Sequence, residues 1–312
     1  MMSKIANRKV ICECLLEEAL QDKTICIAVS DSRGSASLGE FADKYPQRTI
    51  ELGIAEQNLV GVAAGLAHSG KKPFVASPAS FLTMRSIEQI KVDIAYSNTN
   101  VKLIGISAGV SYGALGMSHH SLQDLAVLNA IPNLRILVPA DGYETRKMMK
   151  AIMQDNIPTY IRVGRNPVEQ VHESDAFDFE IGKASILRDG DDLTLVAIGE
   201  MVSIALDSAE ELETLGIKTR VLNIHTIKPF DKEAIIKAAK ETKAIITLEE
   251  HSIHGGLGSL VASSVVQHHP VKMKILGFPD EITMSGSSKE LFDYYGLNVE
   301  GIVSKAKVLI EQ

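Results

Sequence analysis

The chain of 312 residues has no tryptophan, three cysteines and 5% aromatic residues, and each shortage excludes something. Without Trp and with few Phe and Tyr, there is no serial aromatic platform for nucleobases or sugar rings. Cys12, Cys14 and Cys26 form no CxxC pair, and so sparse and odd a set reads as reduced core thiols of a cytoplasmic protein. No apolar run approaches the ~20 residues of a membrane span. The N-terminus enters an amphipathic helix directly, without a signal-peptide layout. Positive charge is not in excess: the formal net charge is −7 and the basic residues are dispersed, which argues against nucleic-acid and anionic-membrane partners. HExxH and GxxxxGK[ST] are both missing, so neither a zinc helix nor a P-loop is expected, and Arg188–Asp192 (RDGDD) reads as a turn before a strand.

What the chain does have is an alternation of short apolar strands and helices. A helix over 8–20 precedes a strand over 24–30. Then come TIELG (49–53) with a helix after it, PFVAS (73–77) with a helix over 81–96, and a strand over 101–107. LRILVP (134–139), a helix over 143–153 and TYIRVG (159–164) complete the set. The stretch 164–178 carries a proline and no apolar period, so it connects rather than packs. Beyond it DDLTLVAIG, TRVLNI and AIITLEE alternate with helices over 202–215, 232–240 and 257–267. Continuous apolar strands separated by helices predict an α/β protein with mostly parallel sheets flanked by helices. Two domains are expected, at 1–170 and 183–312, with a linker at 171–182.

The chain is organised around Glu51–Gly65, ELGIAEQNLVGVAAG: a strand end, a turn at Gly53, and a helix with apolar or small residues on every side. Such a helix is expected to be buried. Its first turn nevertheless carries Glu56, which is either a carboxylate delivered to an apolar layer or an ordinary acid complementing the helix dipole. The polar loop after Ser30 lies at a strand's carboxyl end, where open α/β sheets bind ligands. The Gly-rich loop AGVSYGALGMSHHS (108–121) brings His119 and His120 beside backbone that can approach a ligand closely. Arg8 and Arg165, with Ser35, have the chemistry of a phosphate site if the fold joins them. Glu249–Leu260, with its GGLG, reads as a close strand-to-helix turn.

In this order the pieces resemble the C-terminal half of the transketolase family. The resemblance rests on GIAEQN (53–58), PFVASPASFL (73–82), GMSHHSLQDLAVLNAIPNLRILVPADGYE (116–144), GDDLTLVAIG (190–199), LEEHSIHGGLG (248–258) and SGSSKELFDYYGL (285–297), and it covers essentially the whole chain. It implies a pyrimidine-binding domain followed by the family's C-terminal domain, with thiamine diphosphate as cofactor. The family's diphosphate module, a GDG motif with a downstream Asn, has no counterpart here. A separate N-terminal-section subunit is therefore implied, holding the diphosphate and a Mg2+ or Ca2+ ion, in an α2β2 heterotetramer acting on sugar phosphates.

Carried over by position, Glu56 matches the glutamate that donates to the cofactor's aminopyrimidine nitrogen, a role for which burial among apolar groups is the requirement. Phe81 matches the first of three ring-lining aromatics; Met84 and Ile87 stand where the others are usually aromatic. His119 matches the histidine beside the substrate carbonyl. Arg8, Ser35 and Arg165 match the group around the sugar phosphate. Two positions depart from the pattern: Ser107 replaces a phosphate-contacting His, and Leu115 an Asp that reads a substrate hydroxyl. The implied activity is transfer of a two-carbon ketol unit from a ketose phosphate to an aldose. Alternatives are a deoxyxylulose-phosphate-synthase-like enzyme, the beta subunit of a 2-oxo acid dehydrogenase, and a non-catalytic scaffold.

Overall fold

The computed structural model describes residues 4–311, so the outermost ends of the two expected domains, 1–3 and 312, lie outside the described residues. Strands β1 (Ile25–Val29), β2 (Thr49–Glu51), β3 (Lys72–Pro78), β4 (Lys102–Ile106), β5 (Arg135–Leu137) and β6 (Thr159–Arg162) come from the first part of the chain. The second part supplies β7 (Ser185–Arg188), β8 (Leu193–Ala197), β9 (Thr219–Asn223), β10 (Thr226–Lys228), β11 (Ala244–Ser252) and β12 (Lys272–Phe278). They form a seven-stranded sheet, β10-β5-β6-β4-β3-β1-β2, and a five-stranded sheet, β12-β11-β8-β9-β7. Pairing is parallel except at two edges, β10 on β5 and β7 on β9. β1, β4, β8 and β9 are buried at every position, and the first three are accordingly apolar at nearly every position rather than alternating, whereas β9 buries Thr219, Arg220 and Asn223 as well.

Both antiparallel edge strands escape the sequence reading, because each is only three or four residues long and β7 leaves Ile186 exposed. β10 has a consequence for the architecture. It crosses from the second part of the chain to the edge of the first sheet, so the two sheets share a core. One apolar cluster joins Leu59, Ile136 and Tyr160 to Ile198, Leu222, Ile227 and Ile245.

Two helices differ from expectation. The helix expected over 81–96 is broken: Ala79–Arg85 is α-helical, Ser86 leaves helical geometry at φ −109°, and Ile90–Tyr96 is a π-helix. The break rotates the later turns, so Ile87 does not continue the face that carries Phe81 and Met84. Met84 is exposed, while Ile87 packs against the shared core. The second is Glu56–His68. It buries Glu56, Leu59, Val60, Ala63 and Ala64, but its other side is open: a Cβ built on Gly61 or Gly65 would meet nothing within 4 Å. An all-round apolar helix is half covered in the single chain.

Buried carboxylates fasten the elements, and they make stability depend on pH. Glu144 accepts from the Ala140 N–H at 2.6 Å and, across the domain boundary, from Asn223 Nδ2 at 2.7 Å. Glu249 accepts from the Leu257 and Gly258 N–H groups at 2.7 and 2.8 Å, capping the helix Leu257–His268. Burial pushes both acids up to about 7. An unfolded Glu titrates near ~4.3, so between that value and about 7 these two acids hold more protons folded than unfolded, whereas His225 and His251, pushed down to about 4 by burial, oppose them below the ordinary histidine range. The stability associated with the two acids is complete below the unfolded pKa and is lost as pH rises through the folded one. Thermal unfolding should therefore occur at a lower temperature at pH 8 than at pH 6; a flat or rising profile would contradict it.

Candidate active site

The site lies at the carboxyl ends of β1, β3 and β4, where their parallel direction points the loops. Strand-end residues Asp31 and Ser107 both adopt left-handed backbone, with φ of 53°, a conformation that costs non-glycine residues energy and turns the chain sharply. Glu51 holds this rim: its Oε1 accepts from the Asp31 N–H at 2.7 Å and the Gly53 N–H at 3.0 Å. Ser32 Oγ donates to the Ala76 carbonyl at 2.7 Å, tying β1's loop to β3. Between these loops is a cavity of about 200 Å3, lined by Ser35, Ile54, Glu56, Phe81, Tyr112, Leu115 and His119, among others.

Glu56 begins the helix Glu56–His68 and is 4% exposed. It is not enclosed by apolar groups alone: Arg85 Nη1 donates to both of its carboxylate oxygens at 3.0 Å. The same guanidinium lies 4.1 Å from the centroid of the Phe81 ring. On the cavity side, Phe81 meets His119 edge-on at 5.1 Å, and His119 meets Tyr112 at 5.7 Å. His120, by contrast, is buried and pairs with the Gly113 carbonyl at 3.1 Å, so the two histidines do different work.

A basic cluster adjoins Tyr112. Arg8 Nε donates to the Arg165 carbonyl at 3.0 Å and its Nη1 to the Ser35 carbonyl at 2.5 Å. The Arg165 guanidinium lies 5.1 Å from the Tyr112 ring centroid. Burial, then the neighbouring Arg165 charge, hold Arg8 below its usual pKa. Two like charges close enough to lower a pKa favour an anion nearby.

The structure thus gathers Glu56, Phe81, His119, Leu115 and Ser35 around one cavity, with Arg8 and Arg165 beside it. Met84, Ile87 and Ser107 do not line it. Ser107 is buried at the end of β4, and its Oγ has no hydrogen-bond partner among the described residues. Sequence reasoning overlooked Tyr112 and Arg85. Tyr112 stands out as the one aromatic in the Gly-rich loop, and Arg85 follows Phe81 by four residues, the spacing that stacks side chains on a helix.

A larger cavity of about 670 Å3, lined by Arg135, Asp155, Phe179 and Lys228, sits at the amino-terminal ends of β5 and β6. That is the wrong edge of a parallel sheet for a ligand site. Two of the three acids of Arg188–Asp192 are engaged in ion pairs at an ordinary turn, Asp189 with Arg220 at 2.9 Å and Asp192 with Lys243 at 2.6 Å. Among the described residues no helix is long and apolar enough to cross a membrane.

Residues 3–170 match the transketolase pyrimidine-binding domain, and residues 182–302 match the transketolase C-terminal domain. The chain belongs to the transketolase family. It is 50% identical over 308 residues to one subunit of the apulose-4-phosphate transketolase of Phocaeicola vulgatus, covering 99% of this chain and 98% of that one. It is 37% identical to the SqwH subunit of the 6-deoxy-6-sulfo-D-fructose transketolase of a Clostridium species, covering 98% and 94%. A solved split-gene transketolase, described as an inactive beta4 tetramer, superposes with a TM-score of 0.89 at 36% identity over 99% of both chains.

The family depends on thiamine diphosphate, and the cavity fits the pyrimidine end of that molecule. A buried carboxyl, Glu56, stands beside a flat apolar wall, Phe81, as a ring with an in-plane nitrogen requires. The volume of about 200 Å3 falls below the ~300–1,000 Å3 of a complete small-molecule site. Ile54 on its rim is 73% exposed.

Proposed function

We propose that this chain is the pyrimidine-binding subunit of a two-chain, thiamine-diphosphate-dependent transketolase that moves a two-carbon ketol unit from a ketose phosphate to an aldose. The observation that carries the reading is one cavity holding Glu56, Phe81 and His119 with the Arg8–Arg165 pair alongside. The cofactor, when bound, supplies the carbon that carries the two-carbon unit. Glu56 offers its carboxyl to the pyrimidine ring nitrogen and Phe81 covers the ring. His119 stands at the substrate carbonyl, and Arg8 and Arg165, with Ser35, face the phosphate. A partner chain holds the diphosphate and its Mg2+ or Ca2+, and the assembly is an α2β2 heterotetramer in the cytoplasm. Three free, buried cysteines suit a reducing compartment.

Substrate choice follows from Leu115, half-exposed on the cavity. A hydroxyl buried against it without a partner would cost ~1–3 kcal/mol. The preferred sugar should therefore differ from xylulose 5-phosphate in hydroxyl pattern, branching or tail, as do the sugars for which the two relatives above are named. The test is reconstitution with the N-terminal-section subunit and assay against a panel that includes apulose 4-phosphate. Activity should require both chains. Arg165→Ala should raise KM for a phosphorylated substrate about ten- to a hundredfold, the worth of a hydrogen bond to a charged group, and scarcely change it for the dephosphorylated analogue. A wide preference for xylulose 5-phosphate and ribose 5-phosphate would refute the reading of Leu115 and Ser107. Equal KM changes for both analogues would remove Arg165 from the phosphate site.

A further inference from the structure

We infer that Arg85 is a place-holder for the cofactor's aminopyrimidine ring: in the free chain its guanidinium holds the Glu56 carboxylate, and it has to let go before the ring can bond there. The inference rests on the proposed cofactor reading of the site. A guanidinium and an aminopyrimidine are alike in recognition, each flat, with in-plane N–H donors and a face that stacks on an aromatic ring. Arg85 uses both features at once. One nitrogen, Nη1, reaches both Glu56 oxygens at 3.0 Å, and the carbon between the nitrogens lies 4.1 Å from the Phe81 centroid. The carboxylate and one face of Phe81 are thereby engaged together by a residue that does not itself line the cavity.

The geometry is also that of a contact made to be broken. Glu56 is 4% exposed, but the Arg85 side chain is 47% exposed. Among the described residues Arg85 forms no other hydrogen bond or ion pair, and it ends the helix Ala79–Arg85 immediately before the break at Ser86. Its head can therefore return to water while its stem stays on the surface. The reason for such a latch is the glutamate: a buried charge without a partner is costly, and Arg85 supplies one while the ring is absent. A ring arriving alone has to compete with the latch, whereas one anchored through its diphosphate in the assembled enzyme does so at high effective concentration.

The experiment uses the isolated full-length chain and thiamine, which lacks the diphosphate, with affinity followed by ligand-observed NMR titration. Arg85→Met keeps the stem and removes the head. It should bind thiamine about tenfold more tightly than the unmodified chain, the scale of one exposed cation–π contact together with one ion pair. A merely structural arginine would weaken binding when replaced. Melting curves establish that the variant is folded, as expected at a half-exposed position. Equal or weaker thiamine binding by Arg85→Met would overturn the place-holder role. Glu56→Ala is examined in both backgrounds and should abolish the gain. If Glu56 matters in both but Arg85→Met gains nothing, only the role of Arg85 fails; if thiamine binding is indifferent to Glu56 in both, the cofactor reading of the cavity fails with it.

Discussion

Replacing Glu56 by Gln or Ala in the reconstituted enzyme should lower turnover at least about a hundredfold, the scale of a positioned acid/base group. The fold should persist. The partner left behind is Arg85, which is half-exposed and can hydrate, so no buried charge is stranded. Gln keeps a donor near the ring nitrogen but cannot shift a proton; Ala removes the contact altogether. Hydrogen–deuterium exchange at the thiazolium carbon of the bound cofactor reads the effect directly, ahead of any sugar chemistry. Both variants should exchange far more slowly than the unmodified enzyme, with unchanged circular dichroism. Exchange at the unmodified rate would return Glu56 to an acid complementing its helix dipole, the ordinary reading of a first-turn glutamate.

How far these features are legible in the sequence depends on range. The parallel sheets are legible because strands buried on both faces are apolar nearly throughout, as β1, β4 and β8 are. Glu56 is legible because a carboxylate opening an apolar helix conflicts with its surroundings. The edge strands β7 and β10 are not, since three or four residues at a sheet edge carry no period. Nor is the break at Ser86: spacing alone aligns Phe81, Met84 and Ile87 on one face, and only the backbone shows that the helix changes type between them. The partner of Glu56 is equally hidden, because Arg85 is 29 positions away in sequence. Exposure of half the Glu56–His68 helix is hidden for another reason. Small residues such as Gly61 and Gly65 fit an open face as well as a covered one, so composition does not separate the two.

Asp124→Ala should have the largest effect on stability. Asp124 is 1% exposed, and its Oδ2 accepts from Arg162 Nε at 2.9 Å and from the Tyr160 hydroxyl at 2.8 Å. Arg162 is itself 5% exposed. Its Nη2 donates to the Ser121 carbonyl at 3.1 Å and to the Glu250 carbonyl of β11 at 2.8 Å, joining the two sheets through one guanidinium. Truncating Asp124 leaves a buried arginine without its hydrogen-bonded counter-ion, a change of about 3–5 kcal/mol. Tyr160→Phe removes one hydroxyl and should cost only about 1 kcal/mol. The same network reaches the site. Ser121 pairs with Gly109 in both directions, at 2.8 and 3.1 Å, closing the base of the loop that carries Tyr112, Leu115 and His119. Denaturant unfolding should therefore show the large loss for Asp124→Ala and the small one for Tyr160→Phe. At temperatures where Asp124→Ala remains folded, its KM for the sugar substrate should also rise, because the clamp on the loop has loosened. An Asp124→Ala chain as stable as the original would show that the nearby Glu250 carboxyl and the two carbonyl contacts suffice to hold Arg162.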